Sequence, residues 1–128
     1  MKIKLNSVIV RDQEHALRFY TAILGFIKKT EIPVGEFKWL TVVSPDELDG
    51  TQLVLEPNAH PASVAYQEAL FETGTPLTSF EVEDVQGEFE RLKALSVTFT
   101  MEPTNVGTAI IAVFDDTCGN FIQIYQET

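Results

Sequence analysis

The sequence predicts an α+β fold made of two similar βαβββ modules. Residues 8–26, VIVRDQEHALRFYTAILGF, and residues 80–99, FEVEDVQGEFERLKALSVTF, show the same order: a strand, a Val-x-Asp motif, an amphipathic helix and another strand. Including that last strand, three short strand-like runs follow each helix. A period of about half the chain with similar halves is typical of an internal repeat. The alternative is that two strand–helix units occur by chance, as they can in any α+β protein.

The first module covers residues 1–58. Apolar residues alternate over residues 2–10, which predicts a strand. Asp12 stands at an N-cap position, apolar residues then recur at helical spacing, and Gly25 supplies a left-handed end, so a helix is predicted at residues 13–24. Strands are predicted at residues 26–32, 37–44 and 51–56, separated by Pro and Gly residues that favour turns.

The second module covers residues 76–128 and follows a connector at residues 59–75, in which Pro61 can open a helix. A strand is predicted at residues 77–83, a helix capped by Asp84 at 85–95, and further strands at 97–101, 108–114 and 121–126. Gly119, in the turn before the last strand, is expected to have a positive φ. A chain of 128 residues, 45% of them apolar, is predicted to form one domain with its own core.

Composition narrows the classes of partner. The formal charge of −10 disfavours nucleic acid and anionic membrane surfaces, because both repel a polyanion. No window is apolar enough to span a bilayer, no apolar signal segment follows Met1, and the single Cys118 excludes an intramolecular disulfide. We therefore expect a cytoplasmic protein. The acidity could attract a cationic small molecule, or it could serve solubility alone.

The last predicted strand holds the polar residue of greatest interest. Phe121, Gln123 and Tyr125 share one face of it, because successive side chains of a strand point to opposite sides. Gln123 therefore lies mid-strand on an aromatic face. A sheet can use such a position to direct a polar group into a cavity, or it can tolerate the group where the face is wet.

These patterns together resemble the vicinal oxygen chelate superfamily of glyoxalase, bleomycin-resistance and extradiol-dioxygenase proteins. The residues that carry the resemblance lie in four segments: Val10-Arg11-Asp12 with Ala16, Phe19 and Tyr20; Leu24-Gly25-Phe26; Phe80-Glu81-Val82-Glu83-Asp84; and Phe114-Asp115-Asp116 with Gly119-Asn120-Phe121-Ile122. The resemblance implies that the strands curl into a cup, that helices cover its convex side, and that a divalent metal inside the cup polarises substrate oxygens.

The same resemblance places the family's metal-ligand positions on Leu5, Leu53, Leu77 and Gln123. A metal site needs His or carboxylate donors that converge from separate strands, whereas three of these residues are aliphatic and the fourth is an amide. We therefore predict no metal and no cofactor. A different register could bring in Asn6 or Glu56, but a shift of one residue turns a side chain to the opposite face.

The sequence identifies no catalytic residue. His15 and His60 lie outside the family's ligand positions and are expected to be exposed, and Cys118 lacks a visible base. Glu81 shares a face with Ser79. Its carboxylate could lie in a partly apolar pocket, or Glu81 could be an exposed residue at the end of the strand. The predicted ligand-binding residues are Leu5, Ser7, Trp39, Leu53, Leu77, Ser79, Phe121, Gln123 and Tyr125. Plain core packing is the alternative for the leucines and aromatic residues.

Two functions remain open after these observations. The first is a metal-free protein that binds a small molecule in the cup, as the drug-sequestering members of the superfamily do. The second is a metal-dependent lyase, isomerase or dioxygenase. The missing donors favour the first function, and fold alone does not decide between them. Because single chains with two modules usually pair in this family, we also expect a homodimer.

Overall fold

The two predicted modules are present, each as its own four-stranded mixed sheet. The structure is a computed structural model that describes residues 1–128. The chain divides into two compact units, Met1–Val64 and Ala65–Thr128. The strand order is β1-β4-β3-β2 in the first sheet and β5-β8-β7-β6 in the second. In each sheet the first strand pairs in parallel with the last, while the other pairs are antiparallel. The α+β class and the repeated βαβββ order are confirmed.

The elements have the following bounds. The strands are β1 (Leu5–Val10), β2 (Ile27–Val34), β3 (Phe37–Val43), β4 (Gln52–Pro57), β5 (Pro76–Glu81), β6 (Phe99–Asn105), β7 (Ala109–Asp115) and β8 (Phe121–Glu127). The helices are α1 (Gln13–Arg18), α2 (Pro61–Glu72) and α3 (Val85–Ala94), and a π-helical turn, Phe19–Ile23, follows α1. No helix is both long enough and apolar enough to cross a bilayer.

The first helix begins as predicted but ends differently. The Asp12 carboxylate accepts hydrogen bonds from the N–H groups of Glu14 and His15, as an N-cap does. The predicted helix at residues 13–24 is α-helical only to Arg18, because the next turn widens into a π-helix. A π-helix accommodates more residues per turn, and here the consecutive rings of Phe19 and Tyr20 are both buried. Gly25 ends the segment with φ +93°, as expected.

The core of the first module lies between its sheet and α1. Val8, Val10, Leu40, Val42 and Leu55 of the sheet are at most 1% exposed. They share this burial with Ala16, Phe19 and Tyr20 of the helical segment. Each such side chain contributes roughly 1.5–3 kcal/mol by leaving water. The burial of these side chains identifies the face of the first sheet that α1 covers.

The second module repeats the arrangement with α3. Val85 and Leu92 of the helix are buried, as are Phe114, Ile122 and Ile124 of the sheet. Asp84 occupies the predicted N-cap position, but its side chain makes no cap hydrogen bond. The Val85 N–H instead donates to Gln126 Oε1 at 2.6 Å. Asp84 therefore lies at the predicted N-cap position, but Gln126 and not Asp84 accepts the hydrogen bond from the first helical N–H.

The connector contains the predicted helix, α2, which begins at Pro61. Its Gln67 side chain is buried and donates from Nε2 to the Cys118 carbonyl at 3.2 Å and to Asn120 Oδ1 at 3.0 Å. These two bonds fix the helix to the turn between β7 and β8. That turn contains Gly119, whose φ is +102°, as expected.

Candidate ligand-binding faces

Each sheet has a face opposite its module's main helix, which we call the distal face. In the first sheet, β1 and β4 pair with Leu5 beside Gln52, Ser7 beside Val54 and Ile9 beside Glu56. Paired residues of neighbouring strands point to the same side. Val8 and Leu55 form the alternate pair and point toward α1. The pairs that begin with Leu5, Ser7 and Ile9 therefore form the distal face. Leu5 and Ser7 lie there as predicted.

Leu53 does not share that face. It pairs with Asn6, lies on the α1 side of the sheet and is buried among core residues. Leu53 therefore cannot line a ligand-binding face together with Leu5. The position that the resemblance gave is one residue out of step with the distal residues of β4, and in a strand one residue reverses the face. The distal positions on β4 are Gln52, Val54 and Glu56. The carboxylate of Glu56 therefore lies on the distal face, although the register taken from the resemblance placed it on the opposite face.

The first distal face displays large apolar side chains to solvent. Leu5 is 50% exposed, and both Phe37 and Trp39 are 39% exposed. The register places three further exposed residues on the same face, Ile27, Ile32 and Val34. Scattered exposed apolar residues are ordinary, whereas a contiguous set marks a site where something binds. The prediction that Leu5 and Trp39 belong to a binding surface is consistent with this exposure.

A polar pair lies within this apolar face. Thr41 Oγ1 donates to Gln52 Oε1 at 2.7 Å, with Thr41 fully buried and Gln52 half-buried. Neither residue was predicted as part of the site. Period-two alternation from Trp39 could have identified Thr41, but the partnership with Gln52 depends on the pairing of β3 with β4.

The second distal face carries a similar pair. Gln123 Nε2 donates to Ser79 Oγ at 3.0 Å, and the two residues are partners in the parallel pairing of β5 with β8. Two residues further along, Glu81 pairs with Tyr125. Gln123 is half-buried, so it is not an amide enclosed in a close-packed core. Ser79, Gln123 and Tyr125 therefore lie together, as predicted.

The remaining two predicted residues lie at the edge of this arrangement. Leu77 is half-buried at an irregularity in the register between Pro76 and Thr78. Phe121 stacks on Phe71 of α2, with ring centroids 4.4 Å apart and ring planes 2° from parallel. One face of the Phe121 ring is thus occupied by packing within its own module.

The donor set does not fit a metal centre. Leu5, Leu53 and Leu77 offer no lone pairs, and Gln123 offers a single neutral amide oxygen. No group of three or more His, Cys, Asp or Glu side chains in the structure could hold an ion. Structural and catalytic metal sites in proteins generally need at least three such ligands. We therefore derive no chemistry through a metal.

The turn after β7 has a structural role. Asp116 is fully buried, and its carboxylate accepts hydrogen bonds from the N–H of Cys118 at 2.8 Å, the N–H of Asn120 at 3.0 Å and Asn120 Nδ2 at 2.8 Å. Cys118 is buried in the same turn. This explains why Asp116 and Asn120 belong to the motif without contributing to either distal face.

The two histidines also serve helices rather than a site. His60 Nδ1 accepts the Ala62 N–H at 2.9 Å at the start of α2, and His60 is exposed as expected. His15 is half-buried in α1, so the expectation that it is exposed is wrong. Its N–H binds the Asp12 carboxylate and is the main reason that the pKa of Asp12 is lowered.

The sequence places this fold in a known family. A family model described as Glyoxalase/Bleomycin resistance protein/Dioxygenase superfamily matches residues 2–124. The chain belongs to this superfamily. The uncharacterized protein YurT of Bacillus subtilis (strain 168) is 58% identical to this chain over 127 residues, which cover 99% of this chain and 100% of YurT.

Solved structures resemble the chain along nearly its whole length. UcmS2 has a TM-score of 0.83 and 28% sequence identity and is matched over 98% of this chain and 97% of its own. TnmS3, described as an antibiotic binding protein from Streptomyces sp. CB03234, has a TM-score of 0.79 and 30% identity, over 100% of this chain and 97% of its own. The recognised resemblance to the superfamily is confirmed.

Proposed function

We propose that this superfamily member binds a small organic molecule on the distal faces of its sheets, without a metal and without catalysing a reaction. The observation that carries the proposal is the first distal face, where Leu5, Phe37 and Trp39 remain about 40–50% exposed around the Thr41–Gln52 pair. Small-molecule sites combine a mostly apolar and aromatic lining with a few placed polar groups. A sheet face of this composition fits that description.

The chemistry favours a ligand with a flat apolar part. The rings of Trp39 and Phe37 can stack on a planar group. The Thr41–Gln52 pair offers hydrogen-bonding atoms on the same face. Apolar contact would supply most of the affinity, and this polar pair would orient the ligand.

A relative supports the ligand class. TnmS3 is described as an antibiotic binding protein and is 30% identical to this chain over its full length. We therefore propose a drug-like natural product as the ligand. A metal-dependent enzyme of the same superfamily is not favoured, because no three His, Cys, Asp or Glu side chains are grouped so that they could hold an ion.

Three further properties complete the proposal. The formal charge of −10 favours a cationic ligand. The apolar side chains exposed on the first module favour a homodimer, and light scattering that finds a monomer at micromolar concentration would contradict it. A chain with one buried cysteine, Cys118, suits the reducing cytoplasm, which subcellular fractionation can test.

The sole tryptophan provides the experiment. Trp39 is the only Trp in the chain and lies on the first distal face, so ligand binding should change its fluorescence. A panel of aromatic antibiotics would be titrated into the protein with and without EDTA. We expect at least one compound to quench Trp39 and raise the melting temperature, equally in both buffers.

A variant pair makes the test specific. Gln52→Leu removes the polar amide from the face that carries Trp39, and we expect it to weaken binding about tenfold. Gln86→Leu changes the same residue type on α3 and should leave binding unchanged. A panel that leaves fluorescence and melting temperature unchanged, or a signal that EDTA abolishes, would contradict the proposed function.

A further inference from the structure

The first distal face contains a buried hydroxyl that needs an acceptor. Thr41 is fully buried on β3, and its Oγ1 donates to Gln52 Oε1 at 2.7 Å. The structure gives this hydroxyl no other acceptor. If the Gln52 amide were reversed, its nitrogen would face Thr41, and the buried hydroxyl hydrogen would be left without a partner. Thr41 therefore determines which end of the Gln52 amide faces it.

The other end of that amide is available to a ligand. No protein atom binds Gln52 Nε2. Every buried side-chain nitrogen and oxygen in the structure has a hydrogen-bond partner, so this nitrogen must be open to solvent. A side-chain amide nitrogen carries two N–H donors and accepts nothing. The first distal face thus presents N–H donors whose direction is set by a buried residue.

These donors lie among apolar side chains. In the row of residues that pair across the sheet, Gln52 lies between Leu5 of β1 and Val43 of β3, and Val43 pairs with Ile27 of β2. Leu5 is 50% exposed and Ile27 is 46% exposed. A hydrogen bond in apolar surroundings is stronger than one in water, and a polar group left unpaired there costs more. The Gln52 N–H groups can therefore discriminate between ligands that cover this row.

The other polar groups of the face do not make the same distinction. Ser7 and Thr30 lie in the next row, and a hydroxyl both donates and accepts. Glu56 is the one carboxylate among the distal positions of β1, β3 and β4. It lies four residues along β4 from Gln52, which is about 13 Å at the spacing of a strand. A hydrogen bond at Gln52 is therefore separate from a charge at Glu56.

We infer that Thr41 is a positioning residue that holds Gln52 as an N–H donor, so that the first distal face selects planar ligands with a hydrogen-bond acceptor, such as a ring carbonyl, over ligands with a donor. The inference rests on the proposed function and adds the group by which the ligand is recognised. Gln52 contacts the ligand, and Thr41 acts through Gln52.

Three matched probes test the selection. 9-Fluorenone, carbazole and fluorene are planar, tricyclic and uncharged at neutral pH. 9-Fluorenone carries a carbonyl acceptor, carbazole carries an N–H donor, and fluorene carries neither. Equilibrium dialysis against the full chain would give the three affinities. We expect 9-fluorenone to bind about tenfold more tightly than carbazole, because the carbazole N–H meets another donor at Gln52.

Two variants separate the contact from its positioning. Gln52→Leu should lower the affinity for 9-fluorenone to that for carbazole. Thr41→Val keeps the shape of the buried side chain but frees the amide to turn, so carbazole should gain affinity until the two probes bind alike. Fluorene forms no hydrogen bond and should bind both variants as it binds the unmodified protein, which shows that the face is intact.

Thr21→Val is the matched control. It also removes a threonine hydroxyl from the first module, but Thr21 Oγ1 donates to the Leu17 carbonyl in the helical segment, so the preference for 9-fluorenone should remain. Equal binding of 9-fluorenone and carbazole to the unmodified protein, or a preference that survives in Gln52→Leu or in Thr41→Val, would overturn the inference and leave the proposed function standing. Binding of none of the three probes would count against both.

Discussion

The two modules share one topology but are fastened by different polar groups. In the first, the buried side chain of Gln13 donates to the carbonyls of Lys38 and Leu55 at 2.8 Å each and accepts from the Lys38 N–H at 3.0 Å. This joins α1 to β3 and β4. The equivalent position in the second module is Val85, which is buried without a polar side chain. Asp116 and Asn120 fasten the second module at the turn before β8 instead.

This difference shows that apolar periodicity sets the order of strands and helices. The hydrogen-bond partners of buried polar groups, in contrast, differ from one module to the other. The repeat predicts where strands and helices lie. It does not predict which side chain closes a turn or joins a helix to a sheet. The mutations below separate these two levels, from the largest expected effect to the smallest.

The largest effect is expected for Asp116→Ala. The change leaves two backbone N–H groups and the Asn120 amide in a buried turn without their acceptor. We expect a loss of about 3–5 kcal/mol of unfolding free energy, measured by urea denaturation monitored by circular dichroism.

The adjacent residue is the control. Asp115 is half-buried and accepts from the Thr117 N–H at 2.7 Å, so Asp115→Ala should cost about 1 kcal/mol. Equal costs for the two variants would show that the Asp116 contacts do not hold the turn.

Much of the fold could be predicted because helical and period-two patterns are strong in this sequence. Asp12 and Gly25 marked the first helix correctly, and Gly119 marked its turn. The π-helical turn was missed, because Phe19–Ile23 shows ordinary helical spacing. Backbone hydrogen bonding decides between the two kinds of helix there.

The candidate site was predicted less completely, for a physical reason. Phe121, Gln123 and Tyr125 were grouped correctly, since alternation within one strand determines a face. Leu53 was assigned to the wrong face, and Gln52 was missed, because the face of a β4 residue depends on pairing with β1. Pairing is a non-local property that a single sequence does not show.

The next prediction tests this face assignment. Leu53 is 9% exposed on the α1 side, whereas Leu5 is 50% exposed on the distal side. Leu53→Ala should therefore cost about 2–4 kcal/mol, and Leu5→Ala less than about 1 kcal/mol, because few packing partners are lost. Thermal and urea denaturation would measure both. A larger cost for Leu5→Ala would mean that the distal face is core in solution.

Gln13→Ala tests the polar fastening of the first module. The change leaves the Lys38 N–H and the Leu55 carbonyl without their partner in the interior, so we expect a cost of about 2–3 kcal/mol. Gln13→Val, which copies the residue of the second module, should cost nearly as much. The control is Gln86→Ala on the exposed side of α3, with an expected change within about 0.5 kcal/mol. A stable Gln13→Val variant would show that apolar packing alone suffices in both modules.

The smallest effect, and the one that depends on pH, concerns the two helix N-caps. The carboxylate of Asp12 accepts two backbone hydrogen bonds, and the bond from the His15 N–H is the main cause of its lowered pKa, below the ordinary value of 3.8. Asp84 makes no such bond. At neutral pH, Asp12→Ala should therefore destabilise the protein more than Asp84→Ala.

A lowered pKa means that the folded protein binds the proton less readily than the unfolded chain. The contribution of Asp12 is then complete above pH 3.8 and is lost as the pH falls through its value in the folded protein. The stabilities of the unmodified protein and of Asp12→Ala, measured by urea denaturation, should converge in acid. A constant difference across that range would mean that the first helix does not depend on the charge of its cap.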